Sequence, residues 1–165
     1  MSERERAYQY LLKLLSVRPR TEKEARSKLR GKGFPADVVE EVISRAKEER
    51  LLDDALYARL YAEDRASRKP RSKRLIEREL IRKGIPAELV RREVKRALGD
   101  RDERSLARAA LEKRVPALKG LPREAALRRA YGYLLRRGFS PEVSREVIRE
   151  LLGDVPLESE ADGWK

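Results

Sequence analysis

The chain has 165 residues, 42% of them charged and 5% aromatic, where an average soluble protein has about 25% charged residues; that ratio excludes one thick core and favours many small helices, each with a single apolar stripe. Its 41 Lys and Arg against 29 Asp and Glu give a formal net charge of +12, which points to an acidic partner such as nucleic acid or a protein bound to it, with solubility as the plainer reading. Cys and His are both absent, so disulfides, thiol chemistry, the usual transition-metal ligands and the commonest proton carrier near neutral pH are missing; no metal, no cofactor and no enzymatic activity are expected.

The first predicted helix covers residues 5–16, with Ala7, Tyr8, Leu11, Leu12, Leu14 and Leu15 as its apolar set. Thr21 followed by Glu24 has the spacing of a capping box and opens a second helix. That helix ends at Leu29-Arg30-Gly31-Lys32-Gly33-Phe34-Pro35, and a third, over residues 36–46, carries Val38, Val39, Val42 and Ile43. The order then starts again. A helix is expected over 54–68, a second closes at Leu80-Ile81-Arg82-Lys83-Gly84-Ile85-Pro86, and 87–97 follows with Leu89, Val90 and Val94. A third round runs from 102–114, through a helix opened by Pro122 and closed by Leu134-Leu135-Arg136-Arg137-Gly138-Phe139-Ser140-Pro141, to 141–151 with Val143, Val147 and Ile148.

Gly33, Gly84 and Gly138 recur at intervals of 51 and 54 residues, each just past a helix, where a left-handed residue lets the backbone satisfy the last carbonyls. The basic residue before each Gly, Lys32, Lys83 or Arg137, opposes the negative end of the helix dipole. The expected fold is therefore all-α: three tandem three-helix repeats over 1–50, 51–99 and 100–152, forming an elongated, curved array. Residues 153–165 read as a flexible acidic tail. No apolar run reaches the length of a signal-peptide core or a membrane span, so a cytoplasmic monomer with no membrane partner is expected.

Asp53-Asp54 is the adjacent acidic pair that an enzyme reading singles out. Consecutive helical residues point about 100° apart, so the pair is better read as the capping start of a helix than as a metal or catalytic site. The densest basic stretch holds Arg65, Arg68, Lys69, Arg71, Lys73, Arg74, Arg78, Arg82 and Lys83 against Glu77 and Glu79, a net charge of +7. Arg74, Arg78 and Arg82 lie four apart and form a stripe opposed to Ile76 and Leu80. This stretch is the candidate contact with the acidic partner; its plainer reading is a solvated face partly neutralised by Glu79 and Lys83 at i, i+4. Tyr57 and Tyr61 could stack on unpaired bases, but share a face with apolar neighbours and read as packing.

The chain resembles the RecX family of bacterial RecA modulators from Ala7 to about Leu152. The most specific part is Leu51-Leu52-Asp53-Asp54 leading into Tyr57-Ala58 and Tyr61, then the basic stretch, Ile76, Glu79-Leu80 and Lys83-Gly84-Ile85. Arg18-Pro19-Arg20-Thr21-Glu22 and the run from Leu29 to Pro35 add to it, while Lys69-Pro70-Arg71 departs from members that have Gly before the Pro. The resemblance implies binding along the RecA filament on single-stranded DNA, with inhibition of RecA's ATP hydrolysis, strand exchange and repressor cleavage, and so a part in homologous recombination, DNA repair and the SOS response. The alternative from the residues alone is an autonomous helix-turn-helix DNA-binding protein, although such proteins usually dimerise and no separate apolar dimerisation helix is evident.

Overall fold

The structure, a computed structural model, describes residues 1–153, so the acidic tail expected over 153–165 lies, apart from Gly153, outside the described residues. Among the described residues the chain forms nine helices and no strand: α1 Glu3–Val17, α2 Glu22–Gly31, α3 Ala36–Glu48, α4 Asp54–Ser67, α5 Lys73–Arg82, α6 Ala87–Leu98, α7 Glu103–Leu118, α8 Arg123–Arg136 and α9 Pro141–Leu152. They are three tandem three-helix repeats. No described helix is long and apolar enough to cross a membrane.

The helix ends follow the local chemistry. Gly33, Gly84 and Gly138 have φ of 98°, 96° and 89°, and each closes the same two-bond cap. The amide after the Gly donates to the carbonyl five residues back (Phe34 to Leu29, 3.3 Å; Ile85 to Leu80, 3.3 Å; Phe139 to Leu134, 3.1 Å), and the Gly amide donates to the carbonyl three back. Leu29, Leu80 and Leu134 are fully buried. At the end of α3 the same geometry is made without glycine, by Arg50 at φ 60°, with Leu51 N donating to Ala46 O at 2.8 Å.

α7 runs furthest past its expected end. α7 continues past Arg114, through Pro116, to Leu118, because Leu118 reaches the core at 6% exposure and that burial offsets the hydrogen bond Pro116 cannot donate.

The described residues divide into two compact units, Met1–Tyr61 with Glu77–Ala97, and Ala62–Ile76 with the chain from Leu98 onward. The boundary falls inside α4 and inside α5, so the middle repeat is shared between units. In the first unit α1, α2 and α3 pack on one another around Ala7, Leu11, Ala25, Leu29, Val39, Val42 and Ile43. In the second, α7, α8 and α9 do so, burying Leu106, Leu111, Leu127, Leu134, Phe139, Val147 and Ile148.

The middle repeat's second helix is held by equivalent bonds. In the first unit Thr21, the N-cap of α2, accepts from Glu24 N at 3.2 Å, while its hydroxyl donates to Lys83 O at the end of α5, 2.8 Å away. In the second unit Ser72 caps α5, accepting from Leu75 N at 3.1 Å, and its own amide donates to Arg137 O at the end of α8, at 2.9 Å. The capping box expected at Thr21 is thus half made: the carboxylate of Glu24 accepts no hydrogen bond and faces Arg18 at 3.0 Å and Lys83 at 3.7 Å instead.

Candidate interaction surface

The acidic pair Asp53-Asp54 does two separate structural jobs. Asp53 caps its own helix, accepting from Leu56 N at 3.0 Å. Asp54, expected to do the same, turns to the first turn of α2 and accepts from Glu22 N at 3.0 Å. The physical reason is burial: Asp54 is 8% exposed, and packed against α2 it finds that helix's free amides. Burial pushes its carboxyl above the ordinary Asp range, against the opposing pull of the Glu22 amide. The two carboxylates serve different helices, and among the described residues no three acidic side chains gather as a metal site would need.

The nine cations of the basic stretch are not equivalent. In the second unit, Arg65 and Arg68 pair with Asp64, the latter at 3.2 Å. Arg71 Nε donates to Lys69 O at 3.0 Å, and Lys73 Nζ donates to Gly99 O at 3.0 Å. Arg74 is exposed and reaches Gly138 O only at 3.4 Å, while Lys69 is exposed too. In the first unit, Lys83 lies 3.7 Å from Glu24 and 5.8 Å from the centre of the Tyr61 ring, so the expected pairing with Glu79 gives way to a partner from α2. Arg78 and Arg82 are exposed, as expected, and make no ion pair or hydrogen bond among the described residues. Ile76 and Leu80 are fully buried.

Tyr57 and Tyr61, read as packing, are half-buried. Their rings stack on one another, 6.2 Å between centroids and 15° between planes. The tyrosine that does enter a core is Tyr131, at 6% exposure.

A groove that local sequence reading misses lies within the first unit, about 390 Å³ in volume, walled by Arg18, Arg20, Lys23, Glu24, Ser27, Lys28, Arg82 and Lys83. Its two walls are more than fifty positions apart in the chain, and only Arg18-Pro19-Arg20 stands out as a basic run. Beside it, and sharing Arg20, is a smaller recess of about 130 Å³ bounded by Pro19, Arg50, Leu51, Asp53, Leu56, Tyr57 and Leu60. Leu56 and Leu60 are 39% and 51% exposed there. The second unit has a groove of about 320 Å³ in which Lys73, Arg74 and Arg101 face Asp102 and Glu103, but Glu103 is engaged, accepting from Ser140 N at 2.7 Å to cap α9.

Tandem three-helix repeats, with a groove lined mostly by cations and exposed arginines on α5, define the class: an all-helical repeat protein of net positive charge. Sequence profiles of the first, second and third RecX three-helix domains match residues 7–45, 53–92 and 102–148. The chain is 33% identical over 94% of its length to a regulatory protein RecX of Streptomyces coelicolor, covering 82% of that protein. It is also 33% identical over 89% of its length to one of Thermobifida fusca, covering 79% of it. In fold it is similar to the crystal structure of RecX from Lactobacillus salivarius, with a TM-score of 0.69, 24% identity, and coverage of 90% of this chain and 96% of that one. The chain belongs to the RecX family of regulatory proteins.

Proposed function

We propose that this protein binds RecA filaments on single-stranded DNA in the cytoplasm and restrains RecA's ATPase, strand-exchange and repressor-cleavage activities, without catalysing a reaction itself. The observation that carries this reading is the match of all three RecX domains in order along one chain. The net charge of +12 supports it, since a cationic protein is steered towards a nucleoprotein filament. So do Arg78 and Arg82, exposed cations without partners among the described residues. Within the basic stretch, Arg74, Arg78, Arg82 and Lys69 are the contacts; Arg65, Arg68, Arg71, Lys73 and Lys83 serve chiefly to hold the local structure that presents them.

The test is RecA's ATP hydrolysis on single-stranded DNA, with the parent protein and with Arg74→Glu, Arg78→Glu and Arg82→Glu combined. The parent should inhibit and the triple variant, with its helicity intact, should not. Unchanged hydrolysis with the parent, together with tight binding to duplex DNA alone, would replace this reading with an autonomous DNA-binding protein.

A further inference from the structure

We propose that the groove between the start of α2 and the end of α5 seats phosphates of single-stranded nucleic acid, and that Tyr57, across Arg20, stacks on one of its bases. This deepens the function proposed above by naming a nucleic-acid site within the first unit.

Four cations of the groove, Arg20, Lys23, Lys28 and Arg82, have no ion pair or hydrogen bond among the described residues. Cations gathered in one groove repel one another, and an anionic ligand relieves that repulsion. The single carboxylate, Glu24, offsets one of the six positive charges of the lining and fixes the wall. Its oxygens are buried between Arg18 at 3.0 Å and Lys83 at 3.7 Å, holding those two side chains in place and leaving the groove strongly positive. That charge repels a metal ion and suits a phosphodiester. The first amides of α2 are already taken by Thr21 and Asp54, so the side-chain cations do the binding.

The neighbouring recess decides the kind of polyanion. It shares Arg20 with the groove and is lined also by Arg50, Asp53, Leu56, Tyr57 and Leu60. Arg50 is 85% exposed at its side chain, and its nearest acid is Asp53 at 3.9 Å. Tyr61 stacks on Tyr57 and so holds that ring's orientation. Cations lining one recess with a half-exposed, stacked ring suit a single strand, phosphates on the cations and a base on the ring.

The test measures binding of a fluorescently labelled deoxythymidine oligomer to the full chain by anisotropy, across a salt series. Lys23→Glu with Lys28→Glu should weaken binding at least tenfold and flatten the slope of log affinity against log salt by about 1.4, since each phosphate contact contributes about 0.7 for a single strand. Tyr57→Leu should weaken it roughly five- to a hundredfold with the slope unchanged, and Tyr57→Phe should restore it. Arg128→Glu with Arg129→Glu, on α8, is the control and should change little. Parent-like oligomer binding by both test variants overturns the proposal. If those variants also fail to inhibit RecA, the groove takes an acidic protein surface instead. Arg82 lines the groove but Arg74 and Arg78 do not, so an ATPase assay of Arg74→Glu with Arg78→Glu, which leaves Arg82 in place, tests the α5 face separately from the groove.

Discussion

Thr21 and Lys83 are joined by a hydrogen bond, hydroxyl to carbonyl at 2.8 Å, that ties the N-cap of α2 to the end of α5 across sixty-two positions of chain. Thr21 is fully buried and also accepts from Glu24 N. Thr21→Val keeps the shape and removes both bonds, so it should cost about 2–3 kcal/mol. Thr21→Ser should cost less than half of that. Urea unfolding of the two variants measures the difference, and equal losses would mean that the methyl group matters as much as the hydroxyl and its two bonds.

The three cap glycines should respond unequally to Ala. All have positive φ, which alone makes a side chain cost about 1 kcal/mol. A Cβ at Gly33 would meet nothing within 4 Å. At Gly84 it would run into the Lys23 side chain, and at Gly138 into Ser72 Oγ and within 2.9 Å of Leu75 Cβ. Gly33→Ala should therefore lose about 1 kcal/mol, and Gly84→Ala and Gly138→Ala about 2–4 kcal/mol each. Equal denaturation midpoints for the three would refute the close approach at the latter two.

Arg50→Gly should stabilise the protein by about 0.5–1 kcal/mol, because Arg50 holds a left-handed cap at φ 60° that glycine adopts without strain. The side chain lost is 85% exposed and makes one long contact of 3.9 Å. A lowered melting temperature would show that this contact outweighs the backbone term.

Asp54 has its carboxyl raised by burial, and the sign of its pH effect follows. As pH rises from the acid side, the unfolded chain ionises first, so it releases its proton while the folded form still holds one. Stability due to Asp54 therefore falls with rising pH between the unfolded value and the raised folded one, and is flat outside that window. Asp54→Asn keeps an acceptor for Glu22 N and removes the titration. Relative to this variant the parent should become less stable as pH rises through the carboxylate range. A difference that stays constant would show that the Glu22 bond balances desolvation, and one that runs the other way that it outweighs it.

Glu93 is fully buried, with Arg96 at 3.1 Å and Arg59 at 3.6 Å. Replacing both arginines by Met leaves a buried carboxylate unpaired and should cost about 3–5 kcal/mol. Glu93→Leu removes the buried charge itself and leaves two arginines with access to water, so it should cost clearly less. The reverse order in chemical denaturation would mean that the arginines contribute little to holding Glu93.

Much of the fold is legible locally. Leu29, Gly33 and Phe34, and their counterparts around Gly84 and Gly138, specify their caps through short-range sterics and hydrogen bonding within a single turn, and the apolar spacing around Val39, Val90 and Val147 marks the buried face of each third helix. The family, too, can be read from ordered motifs such as Leu51-Leu52-Asp53-Asp54. What depends on contacts between distant segments cannot be read in this way. Which amide Asp54 caps, which acid Lys83 meets, and which of nine clustered cations remain free were decided by packing, because burial selects partners by position in space. The groove that unites Lys23 and Lys28 with Arg82 exists only once the end of α5 lies against the start of α2. Charge counted along the chain finds the densest run; charge left uncompensated after folding depends on where the acidic side chains come to rest.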